Sequence, residues 1–169
     1  MERSDLVVEG TALAVESFDY DTTTYSKVTL QVKKCLWPAD AVKSGDTVTV
    51  VELGGITSEA ALIRANGNKF GQTIGAKEEN AKVQILFDGA PLPVTGEKVT
   101  YFLARDALGV LSEDYYAVVG AEQGKLKLSN GRFRRFVGKD NEGLLSDLDA
   151  NEEQLAAEVA AAPRKGTKR

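Results

Sequence analysis

The chain has 169 residues, enough for one domain with a core and an appendage and too few for two ordinary domains. Hydrophobic residues make up 43% and charged residues 27%, so the composition is that of a folded globular chain, and no apolar run of about 18 residues suggests a membrane-spanning helix. The net charge of -4 disfavours a general nucleic-acid binder, and the absence of histidine removes the commonest general base, triad partner and zinc ligand.

The N-terminal Met1-Glu2-Arg3-Ser4-Asp5 has no apolar signal core and runs almost directly into a strand. Either the protein is cytoplasmic, or a leader has been removed and the protein is secreted or displayed at a cell surface. Asp5 to Phe18 and Tyr25 to Trp37 alternate in hydrophobicity and are joined by the polar segment 19–24, the pattern of a long hairpin. The alternation in the first run changes phase. Leu6 and Val8 share a face, but past Gly10 the larger apolar residues are Leu13 and Val15, on the other. A strand that exchanges its buried face around a glycine is expected to be bulged or strongly coiled, as in a small closed barrel.

In the second run Val28, Leu30 and Val32 oppose Lys27, Thr29, Gln31 and Lys33, and Pro38 ends the strand. Cys35, the sole cysteine, is expected to act as a small buried hydrophobe instead of a reactive thiol. Ser44-Gly45-Asp46 forms a turn before the β-branched strand Thr47 to Leu53, which Gly54-Gly55 stops. Ile56 to Asn80 carries a weak signal, expected to be an irregular loop or an extra hairpin. Strands are expected again over Ala81 to Phe87, Lys98 to Leu103 and Tyr115 to Val119, followed by a hairpin of Lys125 to Leu128 with Arg132 to Phe136 around Asn130-Gly131. No helical period suggests a βαβ unit.

After Gly138 the period changes. Leu144, Leu145, Leu148, Leu155 and Val159 recur at helical spacing, and Asp149 with Glu152 fits a capping box. The expected organisation is a barrel over 1–138, a helical appendage over 139–163 ended by Pro163, and a basic tail over 164–169.

Candidate chemistry is sparse. Asp147, Asp149 and Asn151 with Glu158 copy part of a calcium-loop spacing, but Glu152 stands where the sharp turn needs glycine, so helix capping is the expected role and no metal site is predicted. Lys125, Lys127, Arg132 and Arg134 with Phe133 and Phe136 could hold a nucleic-acid strand, or could simply charge an edge hairpin against aggregation, the favoured reading. Tyr20, Tyr25 and Trp37 at the ends of the opening hairpin are candidate recognition anchors, with core or rim packing as the commoner fate. Adjacent acids such as Glu78-Glu79 and Glu152-Glu153 do not point to acid-base catalysis; no phosphate loop, dinucleotide-binding glycine pattern or serine elbow is present, and no cofactor is expected.

Val7-Val8-Glu9-Gly10, Tyr25 to Val32, Gly45-Asp46 to Val50, Gly54-Gly55, Gly89-Ala90-Pro91, Gly96-Glu97 leading to Tyr101-Phe102-Leu103, and Gln123 to Leu126 together resemble a group of bacterial extracytoplasmic domains found in surface proteins and lipoproteins. The opening hairpin is similar to that of netrin-like modules. The resemblance covers about Asp5 to Phe136 and implies a mainly β fold, a small antiparallel OB-like β-barrel to which the helical pattern adds a C-terminal α-helix. It also implies a non-catalytic binding or structural module of the cell envelope, with a protein or envelope component as partner. Netrin-like modules carry an N-terminal cysteine and several disulfides absent here, so metalloproteinase inhibition is not carried over, and a lipid anchor would need a cysteine near the start that only a removed leader could have supplied. The alternative functions are a nucleic-acid-binding barrel using the basic hairpin 125–135, or an intracellular or virion structural protein.

Overall fold

A computed structural model describes residues 4–65, 81–87, 90–129 and 132–135, together with Gln154, Ala157 and Ala161. The strands are β1 (Leu6–Tyr20), β2 (Thr23–Trp37), β3 (Thr47–Leu53), β4 (Gly55–Ser58), β5 (Lys82–Ile85), β6 (Lys98–Arg105), β7 (Tyr116–Val118), β8 (Lys125–Ser129) and β9 (Arg132–Arg135), and the helix α1 spans Glu59–Ala65. A 3-10 turn, Ala121–Gly124, joins β7 to β8.

β1 and β2 are each 15 residues long and form the expected opening hairpin, turned by Asp21 and Thr22, with Asp21 at a positive φ of 54°. β1 pairs with β2 along one edge and with β6 along the other, and the ring β1-β2-β3-β7-β6 closes into a five-stranded barrel. The expectation of an antiparallel barrel is corrected at one place, since β3 and β7 run parallel through Val50–Tyr116 and Val51–Ala117. Arithmetic requires this: strand direction cannot alternate all the way round a closed ring with an odd number of members. No βαβ crossover is needed, because the long connection from β3 to β7 runs through β4, α1, β5 and β6.

The phase change in β1 has a direct structural counterpart. The register with β2 slips between Ala12 and Ala14, leaving Leu13 unpaired and 45% exposed. Before the bulge, Leu6, Val8 and Ala12 face the barrel interior; after it, Val15 does. Two further slips, between Glu9 and Gly10 and between Val7 and Val8, skip Lys33 and Leu36 on β2, so Cys35 turns inward to follow Val28, Leu30 and Val32. Cys35 is half-buried, and its thiol donates to the Pro38 carbonyl at 3.0 Å. These bulges coil both strands enough for the ring to close. Gly10 permits a close approach of β1 to β2: a Cβ there would lie 2.5 Å from the Gln31 carbonyl oxygen and 2.8 Å from Leu30 Cγ.

The interior is packed with Leu6, Val8, Val28, Leu30, Val32, Val48, Val50, Val99, Tyr101 and Leu103. Outside the ring, the β8–β9 hairpin buries Leu126 and Phe133 against Val7 and Phe102. The β6–β7 loop buries Val110 and Tyr115 against Val51 and Tyr25.

Where the sequence suggested an irregular loop or extra hairpin, β4 and β5 pair as a separate two-stranded sheet and α1 follows β4 directly. Glu59-Ala-Ala-Leu-Ile-Arg-Ala65 is composed mostly of good helix formers, and Ser58 caps it by accepting from the Ala61 amide at 3.1 Å. The Asn130-Gly131 turn, the appendage 139–163 and the tail 164–169 lie outside the described residues, except Gln154, Ala157 and Ala161, which have helical backbone but are too few to place an element. No helix among the described residues is long and apolar enough to cross a membrane.

Replacing Gly10 with alanine is expected to destabilise the fold by about 1–3 kcal/mol through overpacking against β2. Urea denaturation should show a lower midpoint with an unchanged slope.

Candidate functional site

Glu52 follows Val48 and Val50 on the inward face of β3, and Tyr101 lies between Val99 and Leu103 on the inward face of β6. Lys125, the first residue of β8, is paired with Tyr101 and therefore faces the same side. Glu97 stands immediately before β6, where its backbone carbonyl accepts from the Ala12 amide at 3.0 Å. Four polar groups from three parts of the chain thus meet in a barrel otherwise filled mainly with aliphatic side chains.

Their geometry is that of a closed network. The Lys125 ammonium lies 3.2 Å from Oε2 of Glu52 and 3.2 Å from Oε2 of Glu97, with its side chain only 2% exposed. The Glu52 contact is a hydrogen bond, whereas Glu97 Oε2 sits at ion-pair distance without hydrogen-bond alignment. The Tyr101 hydroxyl donates to the other oxygen of Glu52, and the ammonium also lies 5.8 Å from the Tyr101 ring centroid, within cation–π range. Two carboxylates therefore share one ammonium.

Burial pushes the Glu52 carboxyl above its ordinary value of 4.5, a tendency opposed by the Lys125 charge and the Tyr101 hydrogen bond. Burial, then the Glu52 charge, holds the Tyr101 phenol well above 10.0. The phenol is thereby held in its neutral form, and both oxygens of the Glu52 carboxyl are engaged.

Glu52 and Lys125 also line a cleft of about 220 Å³ together with Val51, Leu53 and Pro91. Phe87 and Leu108, 43% and 41% exposed, line it too. The β6–β7 loop that supplies Leu108 is pinned by the Tyr115 hydroxyl, which accepts from the Leu108 and Val110 amides at 3.2 and 3.1 Å. Glu113 fastens the same loop to β2 through Lys27 at 2.5 Å and raises the Lys27 pKa by that hydrogen bond. At the opening hairpin, Asp19 accepts from the Thr24 and Thr57 hydroxyls, each at 2.7 Å, tying β4 to the end of β1.

The residues singled out from sequence do not converge. Tyr20 is 49% exposed near the hairpin tip, Tyr25 is buried and stacked on Phe18 with ring centroids 5.5 Å apart, and Trp37 is half-buried against the cluster beneath β8–β9. Lys127 and Arg134 are exposed and directly opposite one another, and Arg132 lies on β9 opposite Ser129. Lys125 is withdrawn into the barrel network and Phe133 is fully buried, leaving neither at the surface. Glu52, Glu97 and Tyr101 escaped the sequence reading; the signal for Glu52 was its phase, shared with Val48 and Val50. Among the described residues no three His, Cys, Asp or Glu side chains converge as metal ligands, and residues 147–153 and 158 of the acidic run lie outside them. Comparison with protein-family models, curated proteins and solved structures finds no match for the chain.

Replacing Lys125 with methionine leaves two buried carboxylates facing each other and is expected to cost about 3–5 kcal/mol at neutral pH, measured by urea denaturation. The Glu52→Gln variant tests the linkage separately. Because the folded pKa of Glu52 is raised, its contribution to stability is full below pH 4.5 and is lost as pH rises through the folded value. Stability profiles between about pH 4 and pH 8 should lose that decline in the glutamine variant.

Proposed function

We propose that this chain is a non-catalytic binding or structural module of a bacterial cell envelope or secreted protein, built on an OB-type barrel. Its ligand surface is the β2–β3 side of the barrel with the adjoining loops. The observation that carries this reading is the cleft on β3, which Val51 and Leu53 line together with Phe87, Ala90 and Pro91 and with Leu108 of the pinned β6–β7 loop. A five-stranded Greek-key barrel is the OB architecture, and such barrels recognise ligands across strands 2 and 3 and the flanking loops. The strand order, with its single parallel pair, supports that assignment. Fold-level likeness supplies the placement of the surface; the apolar walls and exposed rim supply its character.

The non-catalytic reading is supported by the state of the converging polar groups. Glu52 is engaged at both oxygens, and its charge partner Lys125 is shared with Glu97. Envelope placement rests on the resemblance carried by the opening hairpin and the glycine-punctuated strands.

Two measurements separate the parts of this proposal. Fractionation of the native host with an antibody should recover the protein in the envelope or the medium, and recovery in the cytosol alone would contradict that placement. NMR titration of the labelled chain with solubilised envelope extract should shift the Val51, Leu53 and Leu108 amides. A Leu108→Trp substitution, which narrows the cleft, should weaken those shifts about tenfold in apparent affinity. Shifts confined to other surfaces would remove the cleft from the proposal.

A further inference from the structure

The cleft beside the buried network has two unlike kinds of lining. Val51, Leu53, Phe87, Pro91, Leu108 and Val118 are apolar, while Glu52 and Lys125 bring charge to the same space. At about 220 Å³ the cleft is smaller than the roughly 300–1,000 Å³ of drug-sized ligand pockets, so it suits a small molecule. The charges beside it do not balance. Glu52 and Glu97 each lie 3.2 Å from the Lys125 ammonium, and among the described residues no other cation reaches either carboxylate. With both acids ionised, the set carries one negative charge that it cannot pair internally, where burial makes an uncompensated charge costly. Of the two charged side chains that line the cleft, Glu52 is the more accessible, 11% exposed against 2% for Lys125.

We propose that the cleft binds a small primary alkylammonium ion, with its ammonium against Glu52 and its hydrocarbon chain along Val51, Leu53, Pro91 and Leu108. This rests on the reading of the cleft as the ligand surface and names the class of ligand. The incoming cation supplies the missing positive charge, so that two carboxylates are matched by two ammonium groups. Its chain covers apolar side chains that are otherwise partly in water, and Phe87 adds an aromatic group of the kind that attracts cations. An anion is a poorer fit, because to meet Lys125 it would have to enter beside the two carboxylates that already hold that ammonium. A neutral alcohol buries the same chain and leaves the surplus charge unpaired.

Protonation of Glu52 is the other way to remove the surplus, and burial raises its carboxyl in that direction. The titratable groups around Glu52 are Lys125 on β8, Glu97 ahead of β6 and Tyr101 on β6, with Tyr116 of β7 and Cys35 of β2 packed on the same interior; its register partner on β2 is Ser26. An alkylammonium ion pairs with the ionised carboxylate, so its affinity should rise as pH climbs through the folded value of Glu52.

The probes are n-pentylammonium chloride, n-pentanol and sodium pentanoate, each titrated into the isotopically labelled full chain and followed by NMR. Pentylammonium should shift the Val51, Leu53, Leu108 and Val118 amides and bind at least about tenfold more tightly than either of the others. Glu52→Gln should abolish that preference together with its pH dependence. Glu97→Gln tests the charge count separately, because Glu97 does not line the cleft: the lining stays intact, Glu52 and Lys125 balance, and pentylammonium should bind about tenfold more weakly with pentanol unchanged. Unchanged Val8, Leu30 and Val50 amides establish that both variants keep the barrel. Equal or tighter binding of pentanol or pentanoate at the same amides would overturn the ammonium proposal and leave the cleft as a ligand surface, whereas no shift at the cleft with any of the three would overturn both. Undiminished pentylammonium affinity in Glu97→Gln would also overturn the proposal.

Discussion

Closure of the ring through β1 is the constraint on which the rest of the molecule depends. One strand must satisfy β2 along one edge and β6 along the other, and a flat 15-residue strand cannot follow both curvatures. The bulges at Leu13, Lys33 and Leu36 resolve the conflict, with Gly10 allowing the backbone of β2 to approach. Each bulge reverses the phase of burial, so Val15 and Cys35 face the same interior as Leu6 and Val32. Closure also pairs both edges of β1, β3 and β6.

The polar network follows from the same geometry. Bringing β3 and β6 to opposite walls of a narrow barrel places Glu52 within reach of Tyr101, and the chain between β7 and β8 delivers Lys125 to the same end. A buried lysine is costly by itself, but two carboxylates and an aromatic face surround this one. The network fastens the β8–β9 hairpin, whose inward side Leu126 and Phe133 complete. Through Glu52 and Lys125 it also lines the adjoining cleft.

Much of this was legible in residue order. The phase shift near Gly10 announced a coiled strand, and Thr47 to Leu53 was bounded correctly by its β-branched content and by Gly54. The helix α1 was missed because seven residues give too short a period, although Ser58 and Glu59 are a recognisable start. Glu52 could have been found by continuing the phase of Val48 and Val50. Lys125 could not: alternation with Leu126 and Lys127 suggests a solvent-facing cation, and its actual position is set by Glu52, 73 residues away, and by pairing with Tyr101. Similarly, Phe133 reads as a stacking residue in isolation and becomes a core residue only once its hairpin is laid on Val7 and Phe102. Local pattern specifies strands and bulges, whereas the inward or outward fate of a charge at a strand end is decided by what lies across the barrel.

Ring closure is tested most directly by cross-strand nuclear Overhauser effects in the isotopically labelled full chain. Contacts between Val8 and Tyr101 and between Gly10 and Val99 should appear together with those joining β1 to β2, and Val50 should show contacts of a parallel pairing with Tyr116. An intact β1–β2 hairpin with no contacts from β1 to β6 would mean an open sheet, and the shared interior, the placement of Lys125 and the cleft would all have to be abandoned.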